Sequence, residues 1–223
     1  MLGIVSKKSA EREWLERFRR LAHTGLLPKG KKGHKDGWGI GFFDGGVPRV
    51  LKEPEDAYQS AFFSEVLKKR LPTRLIAHLR HASHGLMTFE HTHPFIIDDM
   101  LFCHNGTIYA ESEEESDSEF YFESIVRAHK KDPLKEAIIK TAEGMKKKFR
   151  CTSLSLLLIT PRILLAYRDY KMHRGYYTLF FARRKDAIIV CSEKLDREKW
   201  TLLDNKELLC VYNDLTFERG FYG

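Results

Sequence analysis

Nothing in this chain approaches the run of about 18 apolar residues that a membrane-spanning helix needs. Its first residues, Met1-Leu2-Gly3-Ile4-Val5-Ser6-Lys7-Lys8, hold too short an apolar stretch for a secretory signal. These two absences predict a cytoplasmic protein without a membrane partner. Cysteine is sparse: Cys103, Cys151, Cys191 and Cys210 are scattered, with no Cys-x-x-Cys, which argues against a zinc ribbon and a disulfide framework. Cys103, Cys191 and Cys210 sit in apolar runs and read as small buried hydrophobes. No His-Glu-x-x-His occurs, and no basic motif is interleaved with aromatics as an RNA-binding sheet requires. Despite a net charge of +7, the basic segment Pro28 to Lys35 and the acidic run Glu111 to Glu119 read as solvated loops, so no nucleic-acid partner is expected. Internal repeats, low-complexity tracts and long linkers are missing too.

What is present is 223 residues, 43% hydrophobic and 31% charged, enough for one substantial core, and a single domain over residues 1–223 is expected. Trp14, Phe18, Leu21 and Ala22 predict a helix over 9–22, with Ser9 as cap and Gly25 as terminator. Trp38 to Phe43, Asp44-Gly45-Gly46 and Val47 to Lys52 read as a hairpin, and residues 55–70 as an amphipathic helix. Thr73 to His81 reads as a strand with Leu75, Ala77 and Leu79 on one face and Arg74, Ile76, His78 and Arg80 on the other. Met100 to His104 is a short strand ending at Asn105-Gly106, a strong signal for a two-residue hairpin turn. Two helices over 117–130 and 133–148 precede a strand-rich final third, in which a short helical stretch near Arg197 is also expected. The pattern predicts an α+β layered domain with largely antiparallel sheets.

Several residues could carry chemistry, each with a plainer reading beside it. Arg80, at a strand end, could grip a carboxylate with its planar fork or simply be structural. Asn105 and Gly106 form either a turn or, through the Asn amide and the Gly N–H, an oxyanion hole. Ser116-Asp117-Ser118-Glu119 has the pattern of a capping box, in which Asp117 complements the helix dipole. His91-Thr92-His93 would place two imidazoles on one face of a strand, so a His-ligated metal-dependent hydrolase is carried as a rival. Pro94 counts against it, because it disfavours a continuing central strand.

The order of these segments is more specific than any one of them. His34-Lys35-Asp36-Gly37-Trp38-Gly39-Ile40, Arg80-His81-Ala82-Ser83-His84-Gly85, His91-Thr92-His93-Pro94-Phe95, His104-Asn105-Gly106-Thr107-Ile108 and Ser116-Asp117-Ser118-Glu119 follow one another. The series resembles the class II glutamine amidotransferases, the N-terminal-nucleophile type, and most nearly their small stand-alone members. The likeness covers residues 1 to about 125 in motif, and the rest more loosely through Val190-Cys191-Ser192-Glu193 and the Trp200 segment.

The resemblance implies a four-layer αββα sandwich of the Ntn-hydrolase type with two mainly antiparallel sheets. It also implies that Arg80 binds the α-carboxylate of glutamine or another γ-glutamyl compound, that Asp117 binds its α-ammonium, and that Asn105 and Gly106 form the oxyanion hole. Ser83, His84 and Gly85 would line the amino-acid end, with Asp36, Gly37 and Trp38 shaping a neighbouring wall. In the family an N-terminal Cys attacks the amide with its own α-amino group as base, and water then releases glutamate from the thioester. No metal or organic cofactor is implied. The released ammonia would pass to a separate acceptor subunit, or the enzyme would simply hydrolyse γ-glutamyl compounds; 223 residues leave no room for a synthase domain, and self-association is left open.

The chain departs from the pattern where the nucleophile should be. Position 2 is Leu. Members commonly begin Met-Cys, two further residues, an apolar residue and Gly; aligning that Gly with Gly3 puts the Cys two residues ahead of Met1. One explanation is a start assigned at an internal Met, so that the N-terminus is short by a few residues. The other is replacement of Cys by Leu2, which makes an inactive γ-glutamyl-binding or regulatory protein. Retention of a full binding site favours the first.

Overall fold

Apolar residues alternate along most strands of this chain, so each strand offers one row to a layer of helices and the other to a second sheet. The computed structural model describes residues 1–81, 87–109 and 116–222. In chain order its first half contains β1 (Leu2–Ser6), α1 (Arg12–Thr24), β2 (Trp38–Asp44), β3 (Val47–Glu53), α2 (Ala61–Lys68), β4 (Arg74–Leu79), β5 (Phe95–Ile97), β6 (Met100–Asn105) and β7 (Ile108–Tyr109). There follow α3 (Asp117–His129), α4 (Leu134–Lys148), β8 (Arg150–Cys151), β9 (Ser155–Ile159), β10 (Ile163–Arg168), β11 (Phe180–Arg183), β12 (Ala187–Cys191), β13 (Thr201–Leu202), β14 (Glu207–Tyr212) and β15 (Phe217–Gly220).

Two antiparallel sheets lie face to face. One has the order β13-β11-β12-β1-β4-β2-β3, the other β15-β14-β10-β9-β6-β5, and β7 with β8 forms a small separate ribbon. Leu2, Ile4, Trp38, Ile40, Leu75, Ala77 and Leu79 pack outward against Trp14, Leu15 and Phe18 of α1 and Phe63, Val66 and Leu67 of α2. On the far side Phe102, Leu156, Leu158, Leu165 and Tyr167 meet Tyr121, Phe122 and Ile125 of α3 and Ile138, Ala142 and Met145 of α4. Between the sheets Val5, Ile76, Leu101, Cys103, Leu157, Leu164 and Val190 close a third apolar layer. This is the α+β, four-layer αββα arrangement.

The central strand is β1, which pairs with β12 through Leu2↔Cys191 and with β4 through Leu2↔Ala77. All five of its residues are buried, so it shows no polar alternation to advertise it. The β2–β3 hairpin and the face assignment of β4 agree with the sequence reading.

Several local expectations are corrected. Helix α1 begins at Arg12, because the Ser9 hydroxyl donates to Leu71 O (2.7 Å) instead of capping. Helix α2 is shorter than 55–70: Asp56 accepts from Tyr58 N in a turn, and Ser60, whose Oγ accepts from Phe63 N (2.8 Å), starts the helix. Asn105-Gly106 does not join a hairpin, since β6 already has β5 and β9 as neighbours and the chain leaves to pair β7 with β8. Ser116 sits at the N-cap of α3 but makes no side-chain cap bond. The stretch around Arg197 is irregular, tied by Asp196 Oδ1, which accepts from Glu198 N and Trp200 Nε1.

Candidate active site

Antiparallel pairing brings the start of β1, the start of β2, the end of β4 and the end of β12 to one edge of their sheet. Across the inter-sheet space, the end of β6 and the start of α3 converge there too. Alternation then selects the side chains: Met1 and Val5 face inward between the sheets, as does Ile76, while Leu2, Ala77 and Leu79 face the helices. Arg80 continues the inward row of β4.

Met1 is buried, and its amino group donates to Ser192 Oγ at 2.9 Å. Burial depresses the pKa of this amine below the ordinary α-amino value, against the opposing influence of Cys191, Cys103 and Glu193. Those cysteines are not nucleophiles in waiting. Burial pushes the Cys191 thiol up to about 11 and the Cys103 thiol higher still, and both are buried strand residues without a disulfide.

Arg80 is only 7% exposed, and its Nη1 has no hydrogen-bond partner among the described residues. Burial lowers its pKa, while Asp36 and Asp117 oppose the shift, which places both carboxylates within electrostatic reach. A buried guanidinium with a free nitrogen suits a planar anion such as a carboxylate. Its backbone is pinned to the loop before β2: Asp36 N donates to Arg80 O (3.1 Å) and Arg80 N to Gly37 O (2.8 Å). His81 Nδ1 lies 3.2 Å from Asp36 Oδ2. Nearby, burial drives the His34 pKa down to about 4, helped by the N-terminal amine and His81.

On the opposite sheet Asn105 ends β6, and Gly106 packs on the Ser153 carbonyl so closely that a Cβ there would overlap it. Asp117, the first residue of α3, accepts from Ile108 N at 2.7 Å through Oδ2. The structure thus brings Arg80, Asp36, Gly37, Asn105, Gly106 and Asp117 to one end of the sandwich. Ser83, His84 and Gly85 lie outside the described residues. Trp38 is a correction: its fully buried indole packs on Phe62 and Phe63 and donates to Glu53 Oε2 (3.2 Å), so it faces the helices and walls no cleft. The sequence signal was available, since Trp38 shares its β2 face with apolar Ile40 while Gly39 and Gly41 occupy the other.

The His-x-His pair also comes apart. His91 to His93 is not a strand; His91 Nδ1 bonds Thr88 Oγ1 (2.8 Å), whereas His93 is buried against His78, with ring centroids 4.4 Å apart. Gly39 makes this possible, because any side chain there would collide with His93 O and with Pro94 Cδ. Burial holds both rings neutral, and among the described residues no three His, Cys, Asp or Glu side chains converge as metal ligands. Sequence reasoning gave no role to Ser192, which holds the Met1 amine, or to Ser118 and Ser153, which bracket His104. Only their places beside apolar runs could have hinted at this.

This sandwich is similar to that of an allosteric regulatory enzyme of purine biosynthesis (TM-score 0.75, 18% identity, 99% of this chain and 48% of that one). It is also similar to that of a glutamine aminotransferase class-II domain protein from Silicibacter pomeroyi (TM-score 0.64, 18% identity, 85% and 96% covered). Both likenesses define an αββα fold of the Ntn-hydrolase type. Residues 16–185 match the model of the class II glutamine amidotransferases, and the chain belongs to that family. Among curated relatives, an uncharacterized protein of Methanocaldococcus jannaschii is 27% identical over 81% of this chain, which spans 62% of that protein's length. The γ-glutamyl-hercynylcysteine sulfoxide hydrolase of Mycobacterium tuberculosis is 27% identical over 79% of this chain and 75% of its own.

Proposed function

We propose that this protein hydrolyses a γ-glutamyl amide to glutamate and ammonia or an amine, using a cysteine placed two residues ahead of Met1. The observation that carries the reading is the register of β1. Leu2 pairs with Ala77; continued upstream, that register would set Met1 opposite His78 and a residue two places ahead of Met1 opposite Arg80. It would lie about 7 Å beyond Met1 along the strand and, by alternation, share the inward face of Met1 and Val5.

In that position the thiol would attack the amide carbon of a substrate held by Arg80 at its carboxylate and by Asp117 at its ammonium. The thiol proton passes to the cysteine's own α-amine, and the oxyanion is received by the Asn105 amide and the Gly106 N–H. The α-ammonium then protonates the departing nitrogen, and water cleaves the thioester to free glutamate and the thiol. The relative from M. tuberculosis, a γ-glutamyl hydrolase by name, supports hydrolysis of a small γ-glutamyl compound over delivery of ammonia to an acceptor subunit.

The test is to extend the chain by Met-Cys-x and measure glutamate release from glutamine, glutathione and γ-glutamyl amides. Release by the extended protein, and none by the chain that begins at Met1, is expected. Equal activity with and without the cysteine refutes the reading.

A further inference from the structure

His104 belongs to neither half of the proposed cradle, yet it touches both. It precedes Asn105-Gly106 on β6, and its ring is buried beside Tyr121. Nε2 lies 3.0 Å from the Ser153 carbonyl oxygen and Nδ1 lies 2.9 Å from Ser118 Oγ. A carbonyl oxygen can only accept, so Nε2 carries the proton. In a neutral ring Nδ1 then accepts, and Ser118 donates its one hydroxyl proton there.

Each bond reaches a different functional group. Ser153 O is the surface on which Gly106 rests, and a Cβ on Gly106 would also come within 2.7 Å of His104 Nε2. The Nε2–H bond therefore holds the floor of the oxyanion turn. Ser118 Oγ can also donate to Asp117 Oδ1 at 3.2 Å, so two acceptors compete for its one proton; burial lowers the His104 pKa and keeps Nδ1 an acceptor, and at 2.9 Å it is the nearer of the two. Because its proton points to His104, that carboxylate oxygen keeps its acceptor capacity, while Ile108 N fixes the other oxygen.

We propose that His104 is a positioning residue with two separable tasks: Nε2 sets the oxyanion turn through Ser153, and Nδ1 sets the ammonium-binding carboxylate through Ser118. The proposal rests on the γ-glutamyl reading above. Its two tasks can be split by substitution, since the amide of Gln reaches to about the place of Nε2 and that of Asn to about the place of Nδ1.

In the Met-Cys-x-extended protein acting on glutamine, His104→Gln should keep kcat within about twofold and raise KM about tenfold. His104→Asn should do the reverse, lowering kcat about ten- to a hundredfold with KM little changed. Ser118→Ala, which removes the hydroxyl that would otherwise turn to Asp117, should leave KM little changed. A ring that merely fills space would make both His104 variants lose kcat and KM in the same proportion, and that result overturns the proposal. Calorimetry with L-glutamate on the unextended chain reads the carboxylate half without any nucleophile. There His104→Gln should weaken binding about tenfold, while Ser118→Ala and His104→Asn should not; equal affinities for all three overturn it. An extended protein that binds L-glutamate yet hydrolyses nothing refutes the hydrolase reading alone, and the affinities still decide the Asp117 task. Failure of the unsubstituted chain to bind L-glutamate overturns both.

Discussion

Gly106 carries the sharpest constraint of any single residue at the site. Its missing Cβ is what lets the backbone lie on the Ser153 carbonyl, so Gly106→Ala must push the turn away from that surface. In the cysteine-extended protein the substitution should lower kcat about 10²- to 10³-fold, the usual effect of losing one donor, if Gly106 takes the oxyanion role proposed above. L-glutamate affinity, measured by calorimetry, should change little, because Arg80 and Asp117 stand on other elements. At this scale the order of the motifs was more telling than any one residue: Arg80, Asn105, Gly106 and Asp117, each with a plainer reading of its own, lie at one end of the sandwich. The facing of Trp38 was readable from the alternation of Ile40 with Gly39 and Gly41, and the motif match passed over it. The sequence could not reveal the pairing of His104 with Ser118 and Ser153, which depends on three elements meeting.

Helices and strands show a different balance. α3 and α4 were legible nearly to the residue, since each carries a long amphipathic stripe. β1 was not read as a strand at all. Buried on both faces, Leu2-Gly3-Ile4-Val5-Ser6 offers neither alternation nor length, and only its pairing partners make it the centre of the sheet. Asn105-Gly106 misled for the converse reason: a dipeptide that closes hairpins here ends a strand whose two neighbours were already in place. The start of α2 can be tested directly. The buried Ser60 accepts at Oγ from Phe63 N and donates to Glu53 Oε2 (2.6 Å), which is half-buried. Ser60→Ala should therefore cost about 1–2 kcal/mol in chemical unfolding, with no change in the denaturant slope.

For the whole molecule, the decisive property is that the N-terminus lies inside the sandwich and not on its surface. Met1 is 5% exposed and its amine is held by Ser192, with β12 and β4 on either side of the strand it begins. A cysteine-extended protein with a permanent N-terminal tag should release no glutamate, because the tag removes the free amine proposed as the base. The same protein tagged after residue 223 should stay active, and the comparison needs only a glutamate assay. The layered architecture itself was legible in outline, as alternating helical and strand-like stretches, but which strands neighbour which was not, since sheet order depends on contacts between remote segments.

That order has a consequence for synthesis. Leu2 takes its place only when Cys191 arrives beside it. At translation rates of about 5–20 residues per second, the first residues wait roughly ten to forty seconds before the strand that flanks them has been made. During that interval the amino terminus is open to processing enzymes that could not reach it afterwards. In a cysteine-extended chain, removal of the leading Met is therefore expected while the chain is nascent, before β12 pairs with β1.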